Sequence, residues 1–386
     1  MDQDAMKGSA SPIESRGAEN GPRLHAPRVS IIITNFNYRD YVGEAIRSAF
    51  AQTYPNIEVV VVDDVSTDDS IDVITEHLRG RDNAYLYRRV FNGGQGAAFL
   101  DGLRNSSGEF VCFLDADDLL MPEFCAAHVY LHLAIPQQIA FTSTDLAHIT
   151  KTGAVSAGSS GNIRHAFTQA QPADFVTLPK VQISKEVDEV LERHRPSGRL
   201  VYLPPSKVGY HWASCSGLMF KRAALELVAF DDGLAPTRLS ADFYITLTHL
   251  ISGSAILDTR LGGYRIHGKN GYSSETHLDG IDTSRRTPSV FYQDILQRFV
   301  RLMVTTEFEH FWGVLGKGWR YHEVLGALHT YIHQFDRDRL YPKLIENEIL
   351  DGWDVFAARV GYDHARWILN GILGVPDSEL RGRGID

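Results

Sequence analysis

Residues 57–64 read IEVVVVDD, four valines in a row that stop on two aspartates. β-Branched residues at consecutive positions favour an extended strand, and the lack of alternation means that both faces are buried. Strands of that kind belong to parallel sheets covered by helices on both sides. VSIIIT (29–34) and EFVCFL (109–114) repeat the pattern, and AYLYRR (84–89) is a further strand. Between them the spacing predicts helices. In YVGEAIRSAFAQ (41–52), Val42, Ala45, Ile46, Ala49 and Phe50 share one face. Ser70 to Leu78 and GQGAAFLDGLRN read as two more. Strand and helix alternate, so the expected fold is three-layer α/β/α with a mostly parallel central sheet. Ligands of such sheets bind beyond the carboxyl ends of the strands. Asp63 and Asp64 end the second strand there, and Asp115, Asp117 and Asp118 follow the fourth.

Beyond IAFTSTDL (139–146) the regular pattern stops. Residues 150–198 are mixed, with a helical piece near 184–194, and are read as an insertion serving as a functional flap rather than a core element. ASCSGLMF (213–220) predicts a strand and KRAALELVAF a helix. SADFYITLTHLIS (240–252) predicts another helix, and LGGYRIHG (261–268) a last strand. From about 287 onward the chain is rich in aromatics, and helices are expected there. Three regions follow: a disordered tail at 1–27, rich in Gly, Ser, Pro and charge; a catalytic domain at 28–275; and a helical extension at 276–386. The extension needs a surface to cover its apolar face, either the catalytic domain or a second subunit in a homodimer.

A net charge of −10 argues against a nucleic-acid partner. No apolar run reaches the roughly 18–20 residues that span a bilayer, and the N-terminus has no apolar core of a secretory signal. Cys112, Cys125 and Cys215 are scattered, form no C-x-x-C pair and fit a reducing compartment. The expected location is cytoplasmic, with peripheral attachment at the inner membrane face left open.

The cluster LDADDLLMPEF has two readings. One aspartate before Pro122 would cap a helix. Three close together raise one another's pKa values, and a divalent cation such as Mg²⁺ or Mn²⁺ would relieve that repulsion. Both readings stand on spacing alone. VVVVDDVSTDDS is not a calcium loop: counted from Asp64, Gly is missing at the sixth position and Thr75 stands where a bidentate Glu belongs. Asp68 or Asp69 can cap the following helix. FNGGQGAAF has Gly94 and Gly96 but Phe99 at the third glycine position of a dinucleotide fingerprint, and no phosphate-binding G-x-x-x-x-G-K-[ST] occurs.

VSIIITNFNYRDYVGEAIRSAFAQTYPNIEVVVVDDVSTDDS, NGGQGAAFLDGLRNSSGEFVCFLDADDLLMPEF, SGLMFKRAAL, SADFYI and YRIHGKNGYS, taken together, resemble the inverting family 2 glycosyltransferases over roughly 28–275. The resemblance implies a GT-A fold and metal-dependent transfer of a sugar from a nucleotide-diphosphate donor, with UDP as the expected carrier. The acceptor would be a saccharide, lipid-linked or protein hydroxyl, in polysaccharide or glycoconjugate synthesis. It places Thr34, Phe36 and Asn37 in the loop against the nucleobase and gives Asp64 a hydrogen bond to the base. Asn92, Gly94 and Gln95 would line the donor pocket. Asp115 and Asp117 match the D-x-D acids: Asp117 as metal ligand, Asp115 toward ribose, metal or both. His267 would reach the metal or the diphosphate. Asp118 is read as an additional capping acid. Asp242 matches the catalytic base, although Ala241 replaces the glutamate that normally precedes it; Asp231 and Asp232 are its competitors. Trp212 and Tyr264 are read as core residues, and His211 as packing against Trp212. Two other classes remain on sequence grounds, a sugar-nucleotide nucleotidyltransferase and a non-catalytic nucleotide-sugar scaffold. The first would carry a Gly-rich, Arg-containing loop where this chain has TNFNYRDY.

Overall fold

The computed structural model describes residues 24–157, 161–207, 209–228, 242–268 and 349–385 without position 373, together with 270, 276–277, 280–281 and 347. Its elements run β1 (Val29–Asn35), α1 (Val42–Phe50), β2 (Ile57–Asp63), α2 (Ser70–Leu78), β3 (Ala84–Arg88), α3 (Gln95–Arg104), β4 (Phe110–Asp115) and β5 (Leu119–Leu120). Then come α4 (Phe124–Ala134), β6 (Phe141–Thr150), β7 (Val155–Ala157), α5 (Gly161–Gln169), α6 (Lys185–Glu192) and β8 (Leu200–Leu203). β9 (Leu218–Lys221), α7 (Arg222–Glu226), α8 (Asp242–Ser252) and β10 (Ser254–Ile266) complete the sheet region.

The sheet order is β3-β2-β1-β4-β9-β6-β10-β5. β1 pairs in parallel with β2 and β4, β2 with β3, and β6 with β10. β9 lies antiparallel between β4 and β6, and β5 antiparallel on β10. The strands β1–β4, β6 and β10 therefore all point one way. Alternate residues of each strand separate the two apolar layers. Ile31 and Ile33 pack with α1 and α4, whereas Ile32 packs with Phe99 and Leu103 of α3 and with Ile245 of α8. Helix α3 lies flush on the sheet because Gly102 has no side chain: a Cβ there would stand 2.3 Å from Ile32 Cγ2.

The amino ends of β1, β2 and β4 are closed by one polar knot. Glu58, 3 % exposed, accepts from Ser30 Oγ (2.7 Å), Ser107 N (2.6 Å) and Gly108 N (3.0 Å). Arg28 stands 3.9 Å away. Arg222 donates to the carbonyls of Gly108 (2.5 Å) and Leu103 (3.0 Å) and to Ser106 Oγ (2.8 Å). Glu58 is held below the usual carboxylate range: burial opposes this, but the hydrogen bonds from Ser107 and Ser30 and the Arg28 charge outweigh it. All three cysteines are reduced and buried.

The strands and helices from β1 to β4 fall where the spacing predicts them, to within a residue or two. Later elements differ. Of ASCSGLMF only the last three residues belong to a strand, β9, which runs on to Lys221; Cys215–Gly217 is a 3₁₀ turn that brings Ser216 beneath the acidic cluster. The last strand starts seven residues before LGGYRIHG, because SAILDTR pairs with β6 through two register shifts and with β8. The insertion is core rather than flap. Val181, Val187 and Leu191 enter the layer with α4, and Ile163, Ala166 and Phe167 enter the opposite one. Ser184 caps α6, accepting from Val187 N at 3.3 Å. Within the extension, α9 (Trp353–Val360), α10 (Tyr362–Trp367) and α11 (Asp377–Gly382) contribute Phe356, Ala365 and Leu380 to the larger apolar cluster. Residues 287–346 of the expected C-terminal helices, and 1–23 of the expected tail, lie outside the described residues.

Candidate active site

The carboxyl ends of β1, β2 and β4 bring two groups of acids to one rim. Asn35 ends β1, and its Nδ2 donates to Asp63 Oδ1 and to Ser66 Oγ, both at 2.9 Å. The Ser66 amide donates to Asp63 Oδ2 at 2.9 Å. Asp63 is thus consumed in holding the loop after β2. Asn37, at φ 60°, does similar work: its Oδ1 accepts from Thr67 N at 2.7 Å and its own amide donates to Ser66 Oγ at 3.0 Å. Asp68, rather than Asp69, caps α2, accepting from Ser70 N at 3.0 Å. Thr34 is buried, while Phe36 keeps 45 % of its surface exposed at the rim.

Asp64 is buried and surrounded by donors. Arg89 reaches Oδ1 at 2.6 Å, the Gly93 amide Oδ1 at 3.0 Å and the Gly94 amide Oδ2 at 2.8 Å. Asn92 Nδ2 donates to its carbonyl at 2.9 Å. A carboxylate has about four acceptor sites, so one on Oδ2 remains for a ligand. The next residue, Val65, sits at φ 66°, an outlier for a β-branched side chain that costs of order 1–3 kcal/mol. Arg89 and Val65 are site residues that the sequence reading missed. Neither carries a local signal, since their roles depend on the loop at 89–94 folding back over Asp64.

The second group is the turn after β4. Gln95, first in α3, donates to Asp115 Oδ1 at 2.5 Å, and Cys215 Sγ lies 3.3 Å from Oδ2. Ser216 Oγ accepts the Asp115 amide at 3.2 Å. Asp117 Oδ2 meets His267 Nε2 at 2.9 Å and Asn270 Nδ2 at 3.4 Å. His267 stacks on Tyr41, with ring centroids 4.9 Å apart, and meets Tyr38 edge-on at 5.7 Å. Burial, then the charges of Asp117, Asp115 and Asp118, raise the Tyr38 phenol and keep it protonated.

Asp118 is not the helix cap expected of it. The residue before α4 is Glu123, and no side chain caps that helix. Asp118 is 1 % exposed and takes the Arg265 amide at 2.9 Å on Oδ1. Burial first, then Asp117 and Asp115, push its carboxyl well above the usual range. Arg265 was also missed, hidden in YRIHG beside the more conspicuous histidine.

Among the described residues no three His, Cys, Asp or Glu side chains converge on one point. Asp117 and His267 are an adjacent pair, and Asp115 makes its contacts with Gln95 and Cys215. Asp242 opens α8, whose backbone is described but whose first side chains are not; Asp231, Asp232 and Ala241 lie outside the described residues. Trp212 is fully buried and donates to Ser254 Oγ at 2.8 Å, a core residue as expected. Tyr264 is partly buried against the same cluster, and the His211 ring meets Trp212 edge-on.

A mostly parallel sheet interrupted by the antiparallel β9, carrying an acid on β2 and a D-x-D turn after β4 at the same rim, is of the GT-A type. The model of the glycosyl transferase family 2 matches residues 30–172. An uncharacterized glycosyltransferase of Nostoc sp. is 33 % identical over 248 residues, which are 64 % of this chain and 67 % of the relative. Another, of Rickettsia prowazekii, is 41 % identical over 99 residues; these are 26 % of this chain and only 30 % of that protein. S. aureus TarS 1–349 in complex with UDP-GlcNAc superposes with a TM-score of 0.47 at 18 % identity, covering 93 % of this chain and 88 % of that one. The chain belongs to glycosyltransferase family 2 and is a transferase. No helix among the described residues is long and apolar enough to cross a membrane.

Proposed function

We propose that the chain is a metal-dependent inverting glycosyltransferase that moves a sugar from a UDP-sugar to an acceptor hydroxyl. One observation carries the reading: Asp117 and His267, 150 positions apart in sequence, meet at 2.9 Å on the rim that also holds Asp64 and Asp115. The carboxylate oxygen of Asp117 suits Mn²⁺ or Mg²⁺, and the imidazole nitrogen beside it, a softer donor, favours the transition ion Mn²⁺ of the two. Mg²⁺ characteristically takes one or two carboxylates from protein and fills its shell with water and substrate phosphates, so two adjacent ligands fit such a group. Asp117 and His267 would hold the ion, with Asp115 near, and it would neutralise charge developing on the departing diphosphate.

The rest falls to the chain's own side chains. Phe36, exposed at the rim, offers a face for the base. Asp64 accepts from the base through its remaining Oδ2 site, held in place by Arg89, Gly93 and Gly94. Asp115, oriented by Gln95, receives a ribose hydroxyl. Thr34 and Asn37 shape the loop beneath the base, and Asn92 fixes the pocket wall through the Asp64 carbonyl. Asp242 takes the acceptor proton as the acceptor oxygen bonds to the anomeric carbon; the bond from that carbon to the diphosphate oxygen breaks on the opposite face. A single displacement of this kind inverts the centre. The test is UDP release from UDP-sugars with and without Mn²⁺. Metal-stimulated release is expected, and absence of release from UDP-, GDP- and dTDP-sugars alike would reject the enzyme reading in favour of a scaffold.

A further inference from the structure

Arg265, at the end of β10, is 1 % exposed and joins three separate segments. Its Nε donates to the Asp117 carbonyl at 2.8 Å, one terminal nitrogen to the Lys151 carbonyl at 2.8 Å, and the other to Glu44 Oε2 at 2.6 Å. Its amide holds Asp118 at 2.9 Å. The guanidinium carbon also lies 5.2 Å from the centre of the Tyr41 ring, on which His267 stacks. One cation therefore touches the backbone of the acidic turn, the turn after β6 and the first turn of α1. That helix follows the Phe36–Asn37 loop directly.

Two consequences follow from this geometry. Three acids in a buried turn repel one another, and a permanent positive charge against their backbone offsets that repulsion before any ligand arrives. By holding the Asp117 carbonyl rather than its carboxylate, Arg265 leaves the carboxylate to His267 and Asn270. We propose that Arg265 is a positioning residue that presets Asp117 for the donor diphosphate and, through Glu44, ties that acid to the helix behind the base-binding loop. The inference rests on the donor-site reading above. It requires a planar fork: three acceptors in different directions match a guanidinium, whereas an ammonium supplies charge without the geometry.

The test uses the full chain with Arg265→Lys, Arg265→Met and Glu44→Gln. UDP binding is measured by calorimetry with and without Mn²⁺, alongside thermal unfolding. Arg265→Lys should unfold within a few degrees of wild type yet bind UDP about 10–100-fold more weakly, the range for groups that orient a ligand-holding side chain. Glu44→Gln should weaken UDP about threefold and add little in the double variant, as expected of residues acting through one contact. A folded Arg265→Lys with wild-type UDP affinity overturns the proposal, whether or not Arg265→Met folds. If wild type binds UDP equally well without Mn²⁺, the metal assignment falls and the Arg265→Lys comparison on UDP alone still decides. If wild type binds no UDP, the donor reading fails and this inference with it.

Discussion

At the amino ends of β1, β2 and β4 one buried carboxylate, Glu58, is met by two amides and the hydroxyls of Ser30 and Ser107, with Arg28 close by. At the carboxyl ends of the same strands the acids are left partly unmet. Asp118 Oδ2 and Asn35 Oδ1 are buried without a hydrogen-bond partner, Val65 is strained and Phe36 is exposed. The first arrangement is what a buried charge needs in order to contribute to stability. The second forgoes stability to keep donors and acceptors in reserve for something else. Substitutions at the amino end should therefore move unfolding, and those at the carboxyl end should move binding and turnover.

Glu58→Ala should show the largest effect, a loss of about 3–5 kcal/mol in unfolding free energy, because Arg28 and the freed amides lose their acceptor. Denaturant titration checks this, and a loss below about 1 kcal/mol would erase the contrast. At the other end, Asp242→Asn should slow transfer at least about a hundredfold while donor binding holds. Rates at saturating donor for Asp242, Asp231 and Asp232 variants identify the base, and a collapse in either of the latter two would move it there. Asp64→Ala should weaken UDP by about 1–3 kcal/mol in calorimetry, with the loosened 89–94 loop contributing. Equal affinity would mean that Asp64 only organises the loop.

A smaller, graded effect comes from pH. His128, His132 and His249 are buried neutral; burial pushes the last two down to about 3 and His128 well below its ordinary value. The unfolded chain binds protons at these sites below about pH 6.5 and the folded chain does not. Stability is therefore full above that pH and is lost as pH falls from there toward 3, at up to about 1.4 kcal/mol per unit for each histidine. Asp118, raised by burial, works in the opposite sense and gains as pH falls. Urea midpoints between pH 7.5 and 5 should decline, and His128→Leu should flatten the slope.

The half of the candidate site at β1, β2 and β4 was legible because these strands are apolar on both faces and their acids fall at fixed strand ends. What escaped was long-range. The 150–198 stretch shows no sustained period, yet Val187 and Leu191, four apart, were the trace of a buried helix face. SAILDTR was missed because its register shifts break any alternation. Arg265 could not be read at all: a lone arginine in a strand has no pattern until the fold closes on Glu44, Lys151 and Asp117.

The three buried cysteines have a practical consequence. Cys112 and Cys125 are fully enclosed, Cys215 is 5 % exposed, and burial raises the first two thiols far from their reactive form. Toward a maleimide dye the native molecule should be nearly silent. Val90 is 92 % exposed on the loop that folds back over Asp64. A single cysteine placed there would take one fluorophore, so that nucleotide arrival could be watched by emission without removing any native thiol.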